Sequence, residues 1–264
     1  FDAAEGMLRE MIKMVYPKKP LFPPSWKMVI CIPSSITEVE KRAVRDSAEQ
    51  AGAKEVYMIH EPMAAALGIG IDVEEPTGNM IIDIGGGTTG ISVISLGGIV
   101  CDQSVRIAGD EFTQDIIEAM RKYHSLNIGE RTAEQIKIHV GAAIKDLENP
   151  PDDIFVNGRD LVTGIPKQIQ VSYEEIAEAL DKSIFKIEEA ILKALEKTKP
   201  ELAADIYRRG LYLTGGGALL RGLDRRIAQK IQLPVHIAED PLRAVVRGTG
   251  MSLKNINRFS FLMK

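Results

Sequence analysis

Apolar residues recur along this chain at two alternating periods. Ala4, Met7, Leu8, Met11, Ile12 and Val15 fall near helical spacing. The stretch 16–26, YPKKPLFPPSW, holds four prolines and cannot continue that helix. Met28 to Ile32 predicts a buried strand, ended by Pro33 and two serines. Thr37, with Glu40 three residues on, predicts a capping box and a helix to about Ala51, where Gly52 stops it. Glu55 to Ile59 predicts another strand. Glu61-Pro62 then opens an alanine-rich helix, with Pro62 fitting the first turn.

The next stretch, 79–96, reads NMIIDIGGGTTGISVISL. Two apolar runs flank a glycine-rich turn, and Asp83 stands where the first strand opens into it. Gly97-Gly98 makes a second turn and Ile99 to Ile107 a third strand, so the three predict an antiparallel meander. Asp110 to about Tyr123 is a helix with Phe112, Ile116, Ile117 and Met120 on one face, and Thr132 to Ala143 is another. Ile154–Val156, Asp160–Thr163 and Lys167–Ser172 predict small strands around Gly158 and Gly164-Ile165-Pro166. Ser172 and Glu175 form a second capping-box pattern. Beyond it, Ile176, Leu180, Ile184, Ile187, Ile191 and Leu195 keep to steps of three and four, a strongly amphipathic helix. Pro200 starts a short helix that Gly210 ends. Leu211 to Thr214 is a strand, followed at once by Gly215-Gly216-Gly217 and a predicted helix from Ala218 to Lys230. Leu233 to Ile237 is a strand, and Asp240-Pro241 begins a last helix.

Composition narrows the class. The 264 residues are 45% hydrophobic and 27% charged, as in a soluble globular protein. The net charge of −4 gives no basic footprint for nucleic acid. Cys31 and Cys101 lie in apolar runs with neither metal-ligand spacing nor a disulfide framework, which suits a reducing compartment. No apolar run is long enough to span a bilayer. The chain opens on Phe1 within a helical pattern and reads as the continuation of a longer protein.

The candidate chemistry lies in the two glycine triplets. Glycines let backbone N–H groups approach an anion closely, threonines add donors, and a lone aspartate suits a hydrated divalent cation held against phosphate. Either triplet alone fits an ordinary turn. Two of them, each directly after an apolar strand, suggest a nucleotide held between two lobes, the second with a helix start to favour anions. The strand–strand–strand–helix pattern after the first fits an actin-like α/β fold with two lobes. Other candidates have plainer readings. Glu61 is also a good helix cap. Glu134 and Lys137 form an i, i+3 ion pair on one helix face. Leu21 and Phe22 beside Lys18 and Lys19 fit a membrane-surface or partner-binding tip; the plainer reading is that Phe22 and Trp26 fold back onto the core.

The runs PSSITEVEKRAV, IHEPMAAALGIG, EEPTGNMIIDIGGGTT, ISLGGIV, GDEFTQDII, GERTAEQIK, RDLVTGIPK, LTGGGALLRGLD and AEDPLRAVVRGTG closely resemble the MreB family of bacterial rod-shape proteins. The resemblance spans nearly the whole chain in order. It implies an actin-like (ribonuclease H-like) two-lobed ATPase fold that binds ATP with Mg2+. It further implies assembly into filaments on the inner face of the cytoplasmic membrane, where they organise the cell-wall elongation machinery. A non-polymerising actin-fold nucleotide-binding enzyme and a degenerate paralogue are the rivals. Carried over by position, Asp83 resembles the aspartate near the metal, holding Mg2+ through water. Gly85, Gly86, Gly87 and Thr88 resemble a phosphate-binding hairpin. Glu61 resembles the residue that positions the hydrolytic water, and Glu134 and Lys137 the pair beside the nucleoside. Gly215, Gly216, Gly217 and Ala218 resemble the adenosine-side turn, and Leu21 and Phe22 a membrane-insertion loop.

The domain layout expected is a partial first lobe over 1–78 with the loop candidate at 16–26, and a second-lobe core over 79–125 and 198–240. A small subdomain at 126–197 and a C-terminal helix at 241–264 returning to the first lobe complete it. Two departures stand out. The family's earlier Asp-, Gly- and Thr-rich strand–turn–strand is not found in this sequence, which leaves the first lobe incomplete. Gly90 stands where family members usually carry glutamate after the two threonines. Both make any ATPase activity slow at most.

Overall fold

A computed structural model of the chain describes residues 2–15 and 25–264. Leu21 and Phe22 lie outside the described residues. The chain forms two compact units, Phe1–Glu75 with Arg243–Lys264, and Pro76–Leu242.

In the first unit the order is α1 (Asp2–Val15), β1 (Trp26–Ile32), α2 (Glu38–Gln50), β2 (Ala53–His60) and α3 (Glu61–Gly68). β1 and β2 are parallel, with Met28 opposite Val56 and Ile32 opposite His60. A parallel pair needs a crossover, and α2 supplies it. Thr37 caps α2 in a full capping box, its side chain accepting from the Glu40 amide while Glu40 accepts from the Thr37 amide. Leu8 of α1, Met28 and Ile30 pack on buried Ala48, Ala53 and Val56.

The second unit contains β3 (Asn79–Ile84), β4 (Thr89–Ser95), β5 (Gly98–Val105), α4 (Gly109–His124), β6 (Leu126–Asn127), α5 (Glu130–Val140), β7 (Ile154–Asp160), β8 (Pro166–Val171), α6 (Tyr173–Lys197), α7 (Pro200–Arg209), β9 (Leu211–Thr214), α8 (Leu223–Ile231) and β10 (Val235–Ile237). Its main sheet runs β10-β9-β3-β4-β5. The β3–β4–β5 meander is antiparallel, as the alternating runs predict, and β9 and β10 join parallel to β3. Met80, Ile82 and Ile84 of β3 and Ile91 and Val93 of β4 share one core with Phe112, Ile116 and Met120 of α4 and the Ile176–Ile191 stripe of α6. Every β3 residue is buried except Asp83, which is half-buried.

The small sheet β6-β7-β8 departs from the sequence reading. Asp160–Thr163 is not a strand: β7 runs unbroken from Ile154 to Asp160. The Asp160 side chain instead accepts from the Val162 and Thr163 amides, both at 2.8 Å, closing a turn. Those bonds hold its carboxyl at about 2. Gly158 sits inside β7 because a Cβ there would strike the Leu126 side chain and the Asn127 carbonyl. That close approach creates β6, too short to show in a pattern of apolar positions.

Two predicted helices are also shorter than expected. α5 ends at Val140, where the backbone turns extended at Gly141, and a Cβ at that residue would run into the Lys137 carbonyl. The segment after the second triplet is a 3-10 turn, Gly216–Leu219, broken by Gly222 at φ +73° before α8 begins. The Ser172 hydroxyl caps α6 through the Glu175 amide, but the Glu175 carboxylate reaches His124 at 2.6 Å instead of closing the box.

The chain then re-enters the first unit with α9 (Ala244–Lys254), after a short 3-10 turn at Pro241–Arg243. α9 crosses α3 at two glycines. A Cβ on Gly68 would overlap the Ala244 carbonyl, and one on Gly248 the Ala64 carbonyl. Met263 bridges Met58 at the outer edge of β2.

Candidate functional site

The parallel pairing of β3 with β9 sets Asp83 opposite Thr214. It therefore brings the two glycine triplets, far apart in sequence, to the same end of adjacent strands. In an open α/β sheet this carboxyl end is where ligands bind.

The first triplet opens a four-residue turn. Ile84 and Thr89 are the last hairpin pair, and the Gly85 amide donates to the Thr88 carbonyl at 3.0 Å. Gly86, Gly87 and Thr88 are exposed. Thr89 is buried, and its hydroxyl donates to the Ile107 carbonyl at 2.6 Å. Of the two threonines, then, only Thr88 is presented outward. Among the described residues, the Gly86 and Gly87 amides have no protein acceptor. A Cβ on Gly86 or Gly87 would lie 3.6 or 3.8 Å from the Asp110 carboxylate, in ordinary contact, so the Asp110 side chain stands beside the turn. A glycine turn with uncommitted amides is a candidate anion cradle.

The second triplet is packed tightly against the first strand. Gly215 has φ +80°, and a Cβ there would meet the Ile84 carbonyl and stand 2.6 Å from Asp83 Oδ1. Its amide donates to the Pro241 carbonyl at 3.0 Å. A Cβ on Gly217 would strike the Ile84 side chain, while Gly216 is exposed. Ala218 is fully buried, so its methyl belongs to the core and supports the turn from below.

Asp83 stands between the turns. The Thr214 hydroxyl donates to its Oδ1 at 3.1 Å. Burial pushes the carboxyl above its ordinary range, and the Thr214 bond offsets this only in part. A nearby cation would reverse that shift. Among the described residues no three of His, Cys, Asp or Glu gather as a metal cage. A single carboxylate of this kind suits Mg2+ that keeps its waters and is held jointly with phosphate. Gly90 lies directly opposite Asp83 in the hairpin, and a Cβ there would have nothing within 4 Å. A glutamate there would fit, and would face Asp83 as a second carboxylate.

The start of α4 supports the first turn. The Gly109 amide donates to Gly85 O at 3.1 Å and the Asp110 amide to Gly86 O at 2.8 Å. Beyond it, Lys137 and Glu134 form the i, i+3 ion pair, 2.6 Å apart. The pair also reaches further: Lys137 Nζ donates to Gly109 O at 2.7 Å and to Thr113 Oγ at 3.0 Å. Asp110, Thr113, Gln114, Glu130, Arg131 and Glu134 line a cavity of about 480 Å³ beside it.

Sequence reasoning missed Gly109 and Thr113, which join these parts, and also Arg226. The Arg226 guanidinium binds buried Glu188 at 2.7 Å, Asp181 at 2.8 Å and the Ala143 carbonyl at 3.1 Å, tying α8 to α6. No spacing marks these residues, because their contacts with Gly85, Glu134, Lys137, Asp181 and Glu188 join different elements. Glu61 belongs to the first unit. It is the first residue of α3, half-exposed, where the helix dipole favours a carboxylate.

Known proteins share this architecture. A family model described as MreB/Mbl protein matches residues 1–260. The cell shape-determining protein Mbl of Bacillus subtilis (strain 168) is 44% identical over 258 residues, covering 98% of this chain and 76% of the relative. The cell shape-determining protein MreB of Escherichia coli (strain K12) is 48% identical over 257 residues, covering 97% of this chain and 73% of the relative. The crystal structure of MreB5 of Spiroplasma citri bound to ADP superposes with a TM-score of 0.91 at 38% identity, over 97% of this chain and 76% of that one. The same protein bound to AMPPNP gives 0.89 at 37%, over 96% and 76%. With its actin-like fold and this match over nearly its whole length, the chain belongs to the MreB/Mbl family.

Proposed function

We propose that the chain is a nucleotide-regulated cytoskeletal protein that binds ATP with Mg2+ and assembles with copies of itself into filaments. The observation that carries this reading is the pair of glycine turns at the ends of β3 and β9, with the Asp83 carboxylate between them. The Spiroplasma relative was solved with ADP and with AMPPNP, which supports an adenine nucleotide as the ligand. Gly86, Gly87 and Thr88 would receive the phosphates on backbone amides and one hydroxyl. Asp83 would hold Mg2+ through water, and Mg2+ would supply charge neutralisation along the phosphates. Gly215, Gly216, Gly217 and Ala218 would form the adenosine-side wall, with Glu134 and Lys137 beside the nucleoside. Glu61 would orient a water for hydrolysis, a positioning role. With Gly90 in place of a carboxylate, turnover would be slow.

Filaments of this kind would lie on the inner face of the cytoplasmic membrane and organise the cell-wall elongation machinery to keep the cell rod-shaped. Leu21 and Phe22 would give the contact, and a repeating filament would turn two weak apolar anchors into avid binding. Among the described residues no helix is long and apolar enough to cross a membrane. Sedimentation with MgATP tests assembly: a pellet that depends on nucleotide is expected, and a protein that stays monomeric at high concentration contradicts it. Flotation with anionic liposomes tests the membrane contact, with Leu21→Ser/Phe22→Ser expected to stay at the bottom of the gradient.

A further inference from the structure

The Lys137 ammonium is mostly buried and has three N–H donors. Three acceptors meet it: Glu134 Oε2 at 2.6 Å, Gly109 O at 2.7 Å and Thr113 Oγ at 3.0 Å. Its donors are therefore all engaged within the protein. The Thr113 hydroxyl, buried on α4, lies 2.9 Å from Gly109 O and 3.0 Å from Glu134 Oε2. It accepts from Lys137 and has one proton to give to either neighbour. The other side of the Gly109 residue faces the phosphate turn, with its amide on Gly85 O and the next amide on Gly86 O. A Cβ on Gly109 would stand 3.3 Å from Gly85 O and 3.3 Å from Lys137 Nζ. Both approaches are tight, and a side chain there would make its neighbours give by a few tenths of an ångström.

We infer that Thr113 is a positioning residue. With Gly109 it couples Lys137 and Glu134 on α5 to the Gly85–Gly87 turn, so the nucleoside-side pair sets the geometry of the phosphate-side amides. The inference rests on the nucleotide reading above for its functional consequence, but its structural half stands without any ligand. Thr113 holds the ammonium and the Gly109 carbonyl in register. The two amides that anchor the turn are then fixed at the start of α4 rather than fraying with it.

The test has two arms. Amide hydrogen exchange is followed on the ligand-free chain for wild type, Thr113→Val and Thr113→Ser. Thr113→Val is expected to speed exchange at Gly109 and Asp110 by about five- to tenfold, the equivalent of one net hydrogen bond, and Thr113→Ser to restore it. Unchanged exchange at both amides in Thr113→Val overturns the coupling whether or not the chain binds nucleotide. Calorimetry then compares MgATP with adenosine. Thr113→Val is expected to weaken MgATP about tenfold and to leave adenosine within about twofold of wild type, because the loss passes through the phosphate turn. Equal loss for both ligands marks Thr113 as a direct nucleoside contact and overturns the inference. A wild type that binds neither ligand overturns the nucleotide reading, while the exchange arm still decides the coupling. Should Thr113→Val fail to fold, Thr113→Ala, which removes the same hydroxyl without adding bulk, carries both readouts with the same expectations.

Discussion

In the first unit β1, α2 and β2 form a parallel strand–helix–strand crossover; in the second, β9, α8 and β10 do the same. The strand ends differ. β1 runs into Pro33-Ser34-Ser35, and β2 runs directly into Glu61 at the start of α3. β9 runs into Gly215-Gly216-Gly217, and β3 beside it into Gly85-Gly86-Gly87. The shared crossover only delivers chain to one end of a sheet. The proposed anion cradle comes from glycines after two neighbouring strands, and they become neighbours because the β3–β4–β5 meander pairs with β9. Each unit carries a candidate carboxylate at a strand end of its own sheet, in contrasting settings. Glu61 is half-exposed at a helix start, while Asp83 is held among strands and pushed towards its neutral form by burial.

The two units are also closed differently, and this gives the largest expected effects. The second unit joins α8 to α6 through Arg226 and the buried carboxylate of Glu188. Arg226→Met leaves that charge without its main partner, at an expected cost of about 3–5 kcal/mol in urea unfolding. The double variant Arg226→Met/Glu188→Met is expected to recover most of it. The first unit instead joins α3 to α9 by backbone contact at Gly68 and Gly248. Gly248→Ala forces the helices apart, at about 1–3 kcal/mol. Hydrogen exchange is expected to show protection lost in β1 and β2 and kept in β3 and β9. Equal loss in both units would break the comparison.

A smaller effect concerns Asp83. Its folded pKa is raised, so its contribution to stability is fully present below its unfolded value and is lost as pH rises through the folded one. Asp83→Asn is neutral throughout. It is expected to match the wild type in acid and to exceed it at pH 7 in thermal unfolding. The same change is expected to weaken Mg2+-dependent nucleotide binding. A variant less stable than wild type at pH 7 would show that burial is not what governs this carboxylate.

Much of this was legible in the sequence where the determinant is local. The α6 stripe, the Thr37 capping box and the meander follow from spacing, and both triplets announced themselves as turns after strands. Reading failed where tertiary contact decides. Asp160–Thr163 has strand-like residues, but the Asp160 carboxylate captures two amides and bends the chain. β6 exists only because Gly158 leaves room for it. The Ala218 side chain is core, a placement that its position next to the second triplet did not show. Gly109 and Thr113 carry no motif, since their partners Gly85 and Lys137 lie on other elements.

The central claim is that the Gly85–Thr88 turn is a nucleotide phosphate cradle. Gly87 tests it cleanly: it is exposed, its φ needs no glycine, and the nearest atom to a Cβ there is Asp110 Oδ2 at 3.8 Å. Gly87→Val should therefore fold as the wild type does while filling the space a phosphate would take. Calorimetric titration of MgATP into both proteins is the measurement. The account predicts binding to wild type and its loss in Gly87→Val at an unchanged melting temperature. Equal binding by the two proteins, or none by the wild type, would contradict it.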